Sequence, residues 1–137
     1  MRIMAIDYGD ARTGIAVSDE TRTLAGDAWV IHNKHMEQVA QIISDEATSR
    51  NVVCIVIGYP KNMDGSTGAR AEKSEQLAEL LRSLNNIEIT FWDERMTTIS
   101  AHQVLTSVGK HGKKRKKTVD AVAASLILDN YLSYLRR

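Results

Sequence analysis

The sequence predicts an α/β fold: a five-stranded mixed sheet flanked by helices. Two observations carry this. Apolar, β-branched runs alternate with stretches of helical periodicity, and the first three runs lie too close together for helical crossovers. The chain's 137 residues and 43% apolar content suit a single domain, 1–137, with a real core.

Strand one is expected over about 2–8 and strand two over about 12–19, joined by the turn Gly9-Asp10-Ala11-Arg12. A third strand is expected around 27–32, which makes the opening an antiparallel meander. Met36, Val39, Ile42 and Ile43 recur at helical spacing, so a helix is expected over about 35–49. Val52 to Ile57 is a continuous apolar run and reads as a strand covered on both faces. Pro60 stops it, because proline has no N–H for a ladder. A polar loop, 61–68, precedes a helix over about 69–84 with Leu77, Leu80, Leu81 and Leu84 on one side. The fifth strand is Ile87 to Trp92. Thr97 or Thr98 would cap a helix over about 98–108. Thr118 would cap a last helix, from Val119 to about Leu135, buried through Val119, Val122, Leu126 and Ile127. Its alanines Ala121, Ala123 and Ala124 would allow close approach to a neighbour.

The net charge of +1 hides an asymmetry. Residues 110–117 carry six positive charges, and the remainder holds twelve basic against seventeen acidic residues, a net of −5. Six cations in eight residues repel one another unless a polyanion neutralises them, so this basic loop points to nucleic acid. The single cysteine, Cys54, excludes an internal disulfide or a cysteine metal cluster and reads as a small buried residue. No apolar run is long enough to span a bilayer, and the N-terminus lacks a signal-peptide pattern, so a cytoplasmic protein without a membrane partner is expected. The four histidines show no metal-ligand spacing; His35 and His102 read as surface residues on helices.

Three acids stand in settings that ask for a reason. Asp7 ends the first apolar run, Glu94 follows the fifth, and Asp120 opens the last helix. A carboxylate at the mouth of a buried strand is costly unless something needs its charge. Bland readings exist: Asp7 could cap the turn at Gly9-Asp10, and Asp120 could simply favour a helix dipole. Three acids from three separated elements suggest instead a divalent-metal site, and with it phosphodiester chemistry. Magnesium or manganese would suit such oxygen ligands.

The motifs Asp7-Tyr8-Gly9, Gly58-Tyr59-Pro60, Asn62-Met63-Asp64-Gly65, Asp93-Glu94-Arg95-Met96-Thr97-Thr98 and Val119-Asp120-Ala121-Val122-Ala123-Ala124 follow one another in order. Together they resemble the YqgF/RuvX family of bacterial ribonuclease H-like proteins, over nearly the whole chain. Each motif alone is weak; five in register are specific. The resemblance implies a ribonuclease H-like fold and a metal-dependent nuclease. Such nucleases are described either as processing the 5′ end of precursor 16S rRNA in ribosome biogenesis or as Holliday junction resolvases. It implies catalytic and metal-binding roles for Asp7, Glu94 and Asp120, with Mg2+ or Mn2+ as cofactor.

Asp93 and Glu94 are adjacent and point to opposite faces of an extended chain, so one of them at most is a direct ligand. Glu94 is the choice, with Asp93 as a cap or supporting group and Asp64 as the alternative acid. Lys61 and Asn62 would contact nucleic acid from their loop. Arg95 would grip a phosphate or pair with Asp93. Lys113, Lys114, Arg115, Lys116 and Lys117 would hold the phosphate backbone. Two other classes compete: a nucleotide-binding module, which would need a second domain around ATP, and a non-catalytic RNA-binding assembly factor. The enzyme could act as a monomer or a homodimer.

Overall fold

Five strands form one sheet in the computed structural model, in the order β3-β2-β1-β4-β5. They are β1 (Arg2–Asp7), β2 (Arg12–Ser18), β3 (Ala25–His32), β4 (Val52–Tyr59) and β5 (Glu88–Asp93). The helices among the described residues are α1 (Met36–Ser49), α2 (Ala69–Leu84) and α3 (Gly112–Leu135). The structure describes residues 1–20, 25–60, 68–93 and 112–136. The helix expected over 98–108 lies outside them.

The sheet is mixed, as expected. The pairs β1–β2 and β2–β3 are antiparallel, while β4 runs parallel to both β1 and β5. Strand alternation divides the core into two layers. Met4, Ile6, Ile15, Val17, Ile55 and Ile57 face α1 and α2. Ile3, Ala5, Ala16, Cys54 and Val56 face α3, where they meet Ala124, Ile127, Leu128 and Leu132. Both layers are continuous because β1 and β4, at the middle of the sheet, are apolar on both sides.

Three expectations need correction. The last helix starts at Gly112, not at Val119, so the basic run 113–117 is helical backbone rather than loop and Thr118 lies inside the helix. Lysine and arginine are good helix formers, and that local preference outweighs the expected opening of the chain by charge. The buried stripe of this helix is Ala124, Ile127, Leu128 and Leu132; Val119, Val122 and Leu126 are only half-buried. In α1 and α2, Ile42 and Leu84 are exposed, because Ala40, Ser44, Ala47, Ala78 and Ser74 fill the faces against the sheet.

Arg50, just past α1, clamps the edge strand β3. It lies 3.0 Å from Asp27 and 3.0 Å from Glu46, with its guanidinium 4.5 Å from the centre of the Trp29 ring. Arg50→Ala is expected to cost about 1 kcal/mol, read as a lower urea midpoint at unchanged slope. Salt should erase only the ion-pair part of that loss.

Candidate functional site

The site is built around a residue with no side chain. Gly14 of β2 is the cross-strand partner of Asp7 at the end of β1. On the α3 face, Gly14 lies directly beneath the main chain of Asp120. A Cβ added at Gly14 would stand 2.1 Å from the Asp120 carbonyl oxygen and 3.4 Å from Ala124 Cβ. Helix and strand therefore meet backbone to backbone, and Ala124 is the small residue that permits it. Asp7 shares the alternation of Ile3 and Ala5, so it too belongs to the α3 face. Two acids 113 positions apart in the chain are thus brought against one glycine.

The electrostatics agree with the geometry. The Asp120 carboxyl is pushed above its ordinary value, first by burial and also by the negative charge of Asp7; Arg12 and His32 pull it back. Asp120 Oδ2 is buried and makes no hydrogen bond. It lies 3.3 Å from Arg12 Nε in an ion pair that lacks hydrogen-bond geometry. A buried carboxylate oxygen without a hydrogen bond, beside a second carboxylate, is a costly arrangement unless a cation answers it. Two hard oxygen donors of this kind fit magnesium or manganese. Among the described residues no three acidic, histidine or cysteine groups gather into a metal site. Asp7 and Asp120 supply two donors, and Glu94 lies outside the described residues.

The other expected residues divide. Asp93 ends β5 and lines a groove with Tyr59, Glu75 and Phe91, on the α2 side of the sheet. It therefore faces the layer opposite to that of Asp7, which does not favour the expected supporting role beside the metal and leaves the expected capping role open. Alternation is the reason: Trp92 packs toward α3, and its neighbour points the other way. Lys61, Asn62, Asp64 and Arg95 lie outside the described residues. Lys113 to Lys117 occupy the first turns of α3, leading directly to Asp120.

Arg12 and His32 were missed as site residues. They are cross-strand partners on the α3 face, and Arg12 touches Asp120. The available signal was position: Arg12 opens β2 immediately after the turn that follows Asp7. His35 stands just before α1 as its N-cap residue and is exposed.

Comparison with known proteins follows the same lines. A family model described as RuvX, Holliday junction resolvase, matches residues 1–134. A protein of Halothermothrix orenii, provisionally named a pre-16S rRNA nuclease, is 42% identical over 134 residues, covering 98% of this chain and 96% of its own. One of Ruminiclostridium cellulolyticum with the same name is 41% identical, covering 96% and 94%. Among solved structures, Thermus thermophilus RuvC in complex with a Holliday junction substrate superposes with a TM-score of 0.62 at 11% identity, covering 99% of this chain and 95% of that one. The fowlpox virus resolvase bound to Holliday junction DNA gives 0.63 at 14%, covering 100% of both. At these identities the structural likeness concerns the fold, which is ribonuclease H-like.

Proposed function

The chain belongs to the RuvX family, and from that premise we propose that it is a metal-dependent endonuclease acting near the 5′ end of precursor 16S rRNA. One observation carries the reading more than any other: Asp7 and Asp120 meet over Gly14, and a buried oxygen of Asp120 is left without a hydrogen bond. A non-catalytic binding protein has no use for that cost. The relatives, covered to 96% and 94% of their own length, carry a provisional nuclease name and not that of a nucleotide-binding module.

A divalent cation bound here supplies an activated water and stabilises charge on the leaving oxygen. Asp7 and Asp120 hold it from the strand end and the helix. Glu94 is the third acid in this reading, chosen for its longer reach, with Asp64 as the alternative; the groove that Asp93 lines on the other side of the sheet supports the choice. Lys61, Asn62 and Arg95 contribute contacts to the substrate. Lys113, Lys114, Arg115, Lys116 and Lys117 neutralise its phosphates.

The basic run should show itself in salt dependence. Replacing all five cations of 113–117 by glutamine is expected to weaken RNA binding and flatten its salt slope, by about 0.7 per lost phosphate contact on a single strand. Fluorescence anisotropy across a salt series measures it; an unchanged slope removes the segment from the interface.

Resolution of four-way DNA junctions is the second reading, favoured by the family's description. It would require a homodimer that cuts two strands, whereas RNA processing can be done by a monomer. Side-by-side incubation of an rRNA precursor and a four-way junction with Mg2+ or Mn2+ tests the choice. Asp7→Asn and Asp120→Asn proteins serve as controls against contaminating nuclease. Cleavage of neither substrate, or equal cleavage by the variants, ends the nuclease reading. No helix among the described residues is long and apolar enough to cross a membrane.

A further inference from the structure

Arg12 has no part in the chemistry above, yet among the described side chains it is a cation in ion-pair contact with Asp120. Its Nε lies 3.3 Å from Asp120 Oδ2 and makes no hydrogen bond there, and its side chain is 41% exposed. It also forms one wall of an open groove of about 570 Å3 along the β2–β3 edge, with Ala11, His32, Asn33, Lys34 and His35. Among the described residues no carboxylate lines that groove. In a chain whose remainder outside 110–117 is net acidic, this is a basic lane that begins at the paired acids.

A conflict is built into this arrangement. A metal ion needs the lone pairs of Asp120 that Arg12 faces, and a guanidinium does not give up its proton. A cation that takes Oδ2, the oxygen Arg12 faces, therefore displaces the guanidinium. Its exposure permits the rotation, and the groove beside it offers a destination. A phosphate oxygen pair is the partner that a guanidinium fork binds best.

We propose that Arg12 is an exchange residue: it neutralises Asp120 before the cation binds, then swings into the β2–β3 groove to hold a backbone phosphate of the RNA strand, beside His32 and Lys34. This rests on the nuclease reading. Arg12 is a positioning and binding residue in this scheme and transfers no proton. The same guanidinium thus shields Asp120 until the metal arrives and orders binding, with metal first and strand second.

Two readouts of opposite sign test it. Mn2+ titrated calorimetrically into Arg12→Gln protein should bind about two- to fivefold tighter than to wild type, the worth of a partly exposed ion pair. A labelled single-stranded oligoribonucleotide, measured by anisotropy with Ca2+, should bind about tenfold more weakly. Arg12→Lys should restore the Mn2+ affinity without restoring RNA binding, because an ammonium keeps the charge but lacks the fork. Lys34 lines the groove away from Asp120, so Lys34→Gln should weaken RNA binding and leave Mn2+ alone. Mn2+ affinity in Arg12→Gln that is unchanged or lower overturns the exchange, as a purely structural arginine would give that result. If wild type binds and cleaves normally in that case, only the exchange fails. If wild type binds no Mn2+ through Asp7 and Asp120, the nuclease reading fails with it.

Discussion

Asp7→Asn and Asp120→Asn are each expected to lower metal-dependent cleavage about a thousandfold or more, equivalent to roughly 4 kcal/mol of transition-state stabilisation. Asparagine keeps the shape and removes the charge, so both proteins should fold and bind RNA. The two should part company in stability. The Asp120 carboxyl is raised above its ordinary value by burial and by Asp7, so the folded protein binds this proton more tightly than the unfolded chain does. The stabilisation linked to it is fully present below the unfolded pKa near 3.8 and is lost as pH rises through the folded value. At pH 7 the wild type therefore carries a cost that Asp120→Asn does not. The variant should melt a few degrees higher while being inactive, the usual exchange of activity for stability at a working site. Added Mn2+ should raise the wild-type melting temperature and close the gap, leaving Asp120→Asn unmoved. An Asp120→Asn protein that melts lower at neutral pH, with or without metal, would assign the carboxylate to structure.

Much of this was legible before any coordinates, for identifiable reasons. The three opening strands are short, close and apolar, which leaves a meander as their natural arrangement; β1, β2 and β3 fall within a few residues of the expected bounds. Asp7 and Asp120 could be picked out because each interrupts an apolar pattern at its end. Their convergence could not be read, since it depends on the cross-strand register at Gly14 and on a helix touching that glycine. Arg12 was hidden for the same reason: a residue after a tight turn looks like turn chemistry until its partner across space is known. The start of α3 is not legible because two local terms oppose each other in 113–117: charge repulsion opens the chain, and the helix propensity of lysine and arginine closes it. Glu94 is chosen over Asp93 for its longer reach; the packing of Trp92 against the α3 layer places Asp93 alone, on the other face.

Gly14→Val is the sharpest test of how the site is assembled, because local rules favour the substitution. Valine is a better strand residue than glycine, and Gly14 lies inside β2. On propensity alone the variant should gain stability. The packing says the reverse. A Cβ there would stand 2.1 Å from the carbonyl oxygen of Asp120 and 2.8 Å from its carbonyl carbon, both main-chain atoms that no rotamer change can move. Ordinary contact needs about 3.5 Å, so α3 must lift at Asp120 by more than roughly 1 Å. That strains the seating of Ala124, Ile127 and Leu128 and should cost about 3 kcal/mol in thermal or urea melts. A displacement of about 1 Å at Asp120 should also lower cleavage about a hundredfold in the protein that remains folded. Thr13→Val is the control, one residue away on the opposite face. Thr13 Oγ1 is buried without a hydrogen-bond partner, so replacing it by a methyl group should leave stability level or higher. If both variants melt at or above the wild-type temperature and cleave normally, α3 does not rest on Gly14, and the two acids are not held together by that contact.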